Sequence, residues 1–193
     1  MRSRRKWILG LALAVAALAL AACGSGEDTG ASGSAETGAE TAAPAKEKGV
    51  PKALSANRAE ANQILDEGEL EAKLEQFAGF PIVVNQWASW CDPCREEFPF
   101  FRDSAETHAD EVAFLGIDMQ DSREAAAEFL AELPVPYPSI FDPNAAQIAS
   151  LGGGVVSPTT VFIDAGGEIV NVFQGTYVSR DQLEQDIDTH LLG

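Results

Sequence analysis

Cysteine is scarce in this sequence. Three occur among 193 residues, at positions 23, 91 and 94, beside two histidines, two methionines and two tyrosines. A structural zinc site takes four Cys or His ligands, usually as two pairs. A single Cys-x-x-Cys pair, with His108 and His190 distant in sequence, does not supply that set, so no metal is expected. Basic residues are scarce too: thirteen Lys and Arg stand against thirty Asp and Glu, a formal charge of −17. Four of the thirteen (Arg2, Arg4, Arg5 and Lys6) precede Trp7, and without residues 1–22 the net charge is −21. Phosphate contacts need clustered Lys and Arg, which argues against nucleic-acid binding. Internal repeats are absent, and long apolar runs are absent except at the N-terminus.

That exception is "MRSRRK" followed by "WILGLALAVAALALAA", sixteen uncharged and mostly apolar residues. A membrane-spanning helix takes ~20, whereas a shorter core behind a basic start suits a signal peptide. The run ends in "LAAC", which resembles the lipobox of bacterial lipoproteins. The resemblance implies removal of residues 1–22 and lipidation of Cys23; the alternative is plain secretion with Cys23 as a free thiol. Two or more acyl chains hold a protein firmly, so the expected location is the extracytoplasmic face of a bacterial membrane, an oxidising compartment. Residues 23–56 are mostly Gly, Ser, Ala, Thr and Glu. They bury too little to offset their ordering entropy and read as a flexible acidic tether. A folded domain is expected over 57–193.

Within that domain "DEGELEAKLEQFAG" carries Leu70, Leu74 and Phe77 at helical spacing, with Gly79 as a stop. "PIVVNQWA" is a near-continuous apolar run suited to a buried central strand. A helix is expected from Asp92 to His108, with Pro99 as a kink, then a second buried strand over 112–118. Asp121 and Glu124 have the spacing of a capping box for a helix that Pro134 ends. "FDPNAAQIASLGGG" suggests a short helix with Pro143 in its first turn and Gly152 past its end. "TTVFID", "AGG" and "EIVNVFQG" read as a hairpin, and a last helix spans Ser179 to Leu192. Helices alternating with buried strands imply an α/β fold with a partly parallel sheet covered on both faces.

"VVNQWASWCDPCREEFP", followed some sixty residues later by "SPTTVFID", resembles the thioredoxin-fold oxidoreductases, and among them the membrane-tethered TlpA/ResA group. The resemblance covers roughly residues 60–193. It implies a thioredoxin fold, a central mixed sheet flanked by helices, and thiol–disulfide exchange.

The cysteines can be weighed on their own chemistry. Zinc lacks ligands, and a purely structural 91–94 disulfide would close a very short loop, where the entropic gain is smallest. A redox pair remains, and it calls for no cofactor. Cys91 sits where a strand ends and a helix begins, so free N–H groups and the helix dipole favour its thiolate. Cys94, one turn on, is placed to resolve a mixed disulfide. Pro93 fits the first turn. Trp90 covers the site or simply packs.

In thioredoxin-like proteins the strand before the motif often carries a buried acid; here Asn85 stands in its place, as a core amide. Glu97, three residues after Cys94, is the candidate replacement, matching a glutamate of the ResA group that tunes acid–base behaviour, while Glu96 points away. In this fold a proline before the hairpin strand is cis and lies against the dithiol. That assigns Pro158 to the site and leaves the Ser157 backbone to pair with substrate. The expected partners are disulfide-containing secreted proteins, apocytochrome c among them, with a membrane electron donor. Two alternatives stay open: an oxidase using the same site, and a thioredoxin-like lipoprotein that binds without turnover.

Overall fold

The computed structural model describes residues 49–193, so the signal segment 1–22, Cys23 and most of the tether 23–56 lie outside the described residues. The chain runs through α1 (Lys52–Ala59), β1 (Ile64–Leu65), a 3-10 turn (Glu67–Glu69), α2 (Leu70–Gln76), β2 (Ile82–Trp87), α3 (Asp92–Thr107) and β3 (Ala113–Met119). It continues through α4 (Arg123–Glu132), β4 (Ser139–Asp142), α5 (Ala146–Ser150), β5 (Thr159–Ile163), β6 (Ile169–Gln174) and α6 (Arg180–Ile187), which ends in a π turn (Asp188–Leu192). The six strands form one sheet in the order β1-β4-β3-β2-β5-β6. β1, β4, β3 and β2 are parallel, and β5 and β6 are antiparallel additions. This is the α/β thioredoxin-like fold, a mixed sheet flanked by helices.

The period of two along β2 builds two cores at once. Val83 and Trp87 join Phe98 and Phe101 of α3, Phe129 of α4 and Leu183 of α6 on one face. Ile82 and Val84 join Leu70 and Phe77 beside α2 and Ile148 of α5 on the other. Burying each such side chain stabilises the fold by roughly 1.5–3 kcal/mol. Trp87 anchors the first face: it stacks on Phe129 at 4.8 Å, meets the edge of Phe98 at 5.3 Å, and donates its indole N–H to Ser139 Oγ at 3.1 Å. Gly116 makes that contact possible, because a Cβ there would lie 2.1 Å from Ser139 Oγ and 2.9 Å from Trp87 Nε1.

Four local expectations differ from what the chain does. Packed structure starts before Asn57: α1 begins at Lys52, Leu54 is buried, and Asn57 donates to the Phe114 carbonyl at 2.9 Å. The cap of α4 is Ser122, which accepts from Ala125 N, while Asp121 turns its carboxylate toward the redox motif. Pro143 precedes α5 instead of opening it: Ala145 takes a left-handed φ of 57°, and Asp142 accepts from Ala146 N and Ile148 N. β1 and β4, unforeseen in sequence, pair with each other and extend the sheet beyond β3. Gly79 and Gly152 stand where expected, with φ of 88° and 79° that other residues rarely adopt.

Candidate active site

The site forms where β2 stops. After Trp87 the chain turns sharply, with Cys91 N–H donating to Ala88 O at 3.1 Å, and α3 starts at once. Cys91 is the N-cap of α3, and its sulfur accepts the Cys94 N–H at 3.2 Å. Pro93 occupies the first turn, where no helical N–H is needed. Cys91 and Cys94 are joined as a disulfide, and both are buried. Three residues are therefore enough to set the two sulfurs at the positive end of a sixteen-residue helix.

The opposite wall comes from the loop before β5. The Ser157–Pro158 bond is cis, and Ser157 Oγ lies 3.4 Å from Cys94 Sγ. Val156 O is held twice, by Gln86 Nε2 at 3.0 Å and by Thr159 Oγ1 at 2.7 Å, so β2 and β5 fix this loop together. Trp90 is 55% exposed and donates its indole N–H to Gln120 O at 3.0 Å. It stands over the surface of the site instead of inside the core. Val155 and Val156 are exposed as well.

Further along the same helix, on its buried side, comes Glu97. It is wholly buried, one turn along α3 from Cys94, whereas Glu96 is exposed on the far face. Its Oε1 accepts from Asn85 Nδ2 at 3.1 Å and its Oε2 from Tyr177 N at 2.9 Å. Burial pushes the carboxyl up to about 8, and these two hydrogen bonds only partly oppose it. Glu97 thus keeps a proton at neutral pH. Asn85 is the core amide expected, with its own Oδ1 unpartnered. Tyr177, not foreseen as part of the site, also donates its hydroxyl to Asp186 of α6 at 2.8 Å.

The structure therefore gathers Cys91, Cys94, Trp90, Glu97, Ser157 and Pro158 around the end of the sheet where β2 stops and β5 begins. Sequence reasoning missed three residues there: Tyr177, Gln86 and Asp121, whose Oδ2 accepts the Ser89 N–H at 2.6 Å. Among the described residues no group of three or more His, Cys, Asp and Glu side chains is placed to hold a metal ion.

The Redoxin family model matches residues 40–189 of the chain. Thiol-disulfide oxidoreductase ResA of Oceanobacillus iheyensis is 31% identical over 113 residues, which cover 58% of this chain and 58% of that protein. Thiol:disulfide interchange protein DsbE of Pseudomonas fluorescens biotype C is 36% identical over 108 residues, covering 54% and 59% respectively. The chain thus spans less than two thirds of the length of both relatives. A DsbF homologue from Corynebacterium diphtheriae superposes with a TM-score of 0.56 at 32% identity, over 60% of this chain and 75% of that one.

Proposed function

The chain belongs to the redoxin family, and from that premise we propose that it is a thiol–disulfide oxidoreductase working through Cys91 and Cys94, anchored by lipid at Cys23 on the outer face of a membrane. The observation that carries this reading is the Cys91–Cys94 pair at the start of α3, walled by Ser157–Pro158 and followed along the same helix by a protonated Glu97. Its homologues are thiol–disulfide oxidoreductases.

In the reduced protein the Cys91 thiolate attacks one sulfur of a substrate disulfide. That bond breaks, a Cys91–substrate disulfide forms, and the departing substrate sulfur takes up a proton. Cys94 then loses its proton and attacks Cys91 Sγ. The mixed disulfide breaks, the second substrate sulfur leaves as a thiolate and takes up a proton, and the Cys91–Cys94 bond closes. The substrate gains two electrons and the protein loses them; a membrane electron donor restores the dithiol.

Glu97 is the group nearest in sequence to Cys94 that exchanges a proton near neutral pH, and its ionised fraction, which grows as pH approaches 8, is the form that accepts the proton when Cys94 attacks. Trp90, Ser157 and Pro158 receive the substrate chain. Asp92, exposed in the first turn of α3, sets a negative charge beside the thiolate and favours the reducing direction. The clients are disulfide-containing secreted proteins, with apocytochrome c in that class.

The test is a trapping experiment with a redox titration. Cys94→Ser accumulates a mixed disulfide at Cys91 with a disulfide-bearing peptide, and Cys91→Ser does not; trapping on neither sulfur defeats the reading. A potential near that of thioredoxin, about −270 mV, supports the reducing direction, and one near about −120 mV reverses it. Cys23→Ala moves the protein out of the membrane fraction; unchanged fractionation removes the anchor from the reading.

A further inference from the structure

Besides the dithiol and Glu97, β3 holds a buried acid that the exchange chemistry leaves unused. Asp118 is fully buried, and no donor group reaches either carboxyl oxygen; the one side-chain hydrogen bond open to it is the one its own proton makes to the Asp121 carboxylate. It stands in register with Trp87, the last residue of β2 before the turn into Cys91. A carboxylate so placed is costly to ionise. Burial foremost, then the Asp121 carboxylate, raises the Asp118 pKa to about 8, with Arg123 opposing and Asp142 adding to the rise. Arg123 is already engaged by Asp66 and by the Ile64 carbonyl at 3.0 Å.

The two carboxylates facing Asp118 each hold one wall of the redox site. Asp121 accepts from Ser89 N at 2.6 Å and from Ser122 N at 2.7 Å, and the neighbouring Gln120 O receives the Trp90 indole at 3.0 Å. Asp142 accepts from Ala146 N at 2.8 Å and Ile148 N at 3.0 Å, fixing the start of α5, from which the chain runs on to Ser157. A charge on Asp118 would act on both walls.

We propose that Asp118 and Asp121 are positioning residues of the redox site: a neutral Asp118 leaves Asp121 as a lone carboxylate that grips the Ser89 N–H and fixes the turn presenting Trp90 and Cys91. When the Asp118 proton leaves to solvent, two like charges oppose each other beneath that turn. Asp121 then loosens its hold on Ser89, and the Trp90 indole parts from Gln120. The inference rests on the oxidoreductase reading only for the meaning of the turn. The experiment below uses the disulfide form and reads the turn itself, so its failure is separable from a failure of exchange.

Nitrogen–proton correlation spectra of the oxidised full chain are followed from about pH 6 to about pH 10. The Ser89 amide and Trp90 indole resonances should shift together with a midpoint near 8. Asp118→Asn should abolish that transition and Glu97→Gln should leave it in place. Asp121→Asn keeps a carbonyl acceptor for Ser89 but removes the opposing charge, so it should move the midpoint to lower pH. Should Asp118→Asn not fold, the Asp121→Asn midpoint decides alone: downward movement supports the assignment and an unmoved midpoint overturns it. Resonances that stay flat in the parent, persist unchanged in Asp118→Asn, or lose their transition in Glu97→Gln also overturn it.

Discussion

Replacing Glu97 by glutamine should make the oxidised protein more stable, and by an amount that depends on pH. The folded carboxyl titrates near 8 against an ordinary value of 4.5, so folding takes up a proton throughout the interval between them. Stability therefore falls as pH rises from the unfolded value through the folded one, and levels off above it. The slope is about 1.4 kcal/mol per pH unit. At pH 7 the burden is about 3 kcal/mol, and above pH 8 it reaches about 5 kcal/mol.

Glutamine fits the same space. Its carbonyl can accept from Tyr177 N, and its amide can donate to Asn85 Oδ1, which now has no partner. Near pH 5 the variant should lie within ~1 kcal/mol of the parent. By about pH 8 its urea midpoint should sit roughly 1.5–4 M higher. Urea unfolding of the disulfide form across that range is the assay, since it keeps thiol titration out of the measurement. Glu96→Gln, on the exposed face, is the control and should follow the parent. If the parent and Glu97→Gln curves run parallel at every pH, Glu97 is ionised in the folded state and the reasoning fails.

Gly116→Ala should destabilise the protein by roughly 1–3 kcal/mol or more, because its Cβ would fall 2.1 Å from Ser139 Oγ; a denaturant midpoint equal to the parent's would contradict the packing. Burial pushes the His108 imidazole down, but hydrogen bonds to Glu184 at 2.6 Å and Glu111 at 2.9 Å more than reverse this, so its pKa is raised above 6.5. His108→Gln should consequently cost most stability below that ordinary value, and the deficit should shrink as pH rises through the folded one. Thermal unfolding at several pH values checks the trend, and a deficit that grows with pH would reverse the sign. In the reduced protein Cys91 should be alkylated well ahead of Cys94, whose sulfur is fully buried in the disulfide form; mass spectrometry of partly labelled protein would expose the opposite order.

What could be read from sequence was local. The Cys91–Cys94 spacing, the helix beginning at Asp92 and the place of Glu97 one turn beyond Cys94 follow from residues within a few positions of one another. Pro158 was legible through resemblance, since nothing in "SPTT" by itself brings it to the sulfurs. The failures have one cause, a distant partner prevailing over a local rule. Asp121 has capping-box spacing to Glu124, yet a backbone N–H at Ser89 claims its carboxylate. β4 follows a segment with prolines at 134, 136 and 138 and became a strand only through its neighbours β1 and β3. Leu54 looked like the end of a polar tether until the core supplied it with contacts.

The hydrogen bond from Tyr177 to Glu97 spans 80 positions of the chain, whereas the two cysteines stand three apart. A chain that enters an oxidising compartment N-terminus first can close its disulfide as soon as Cys94 appears there. The buried acid must wait for Tyr177, with α6 following to hold that tyrosine through Asp186. Closing the bond and completing the acid's hydrogen bonds therefore depend on different stretches of the chain. A chain halted before Tyr177 could carry the bond while lacking the environment that gives Glu97 its proton.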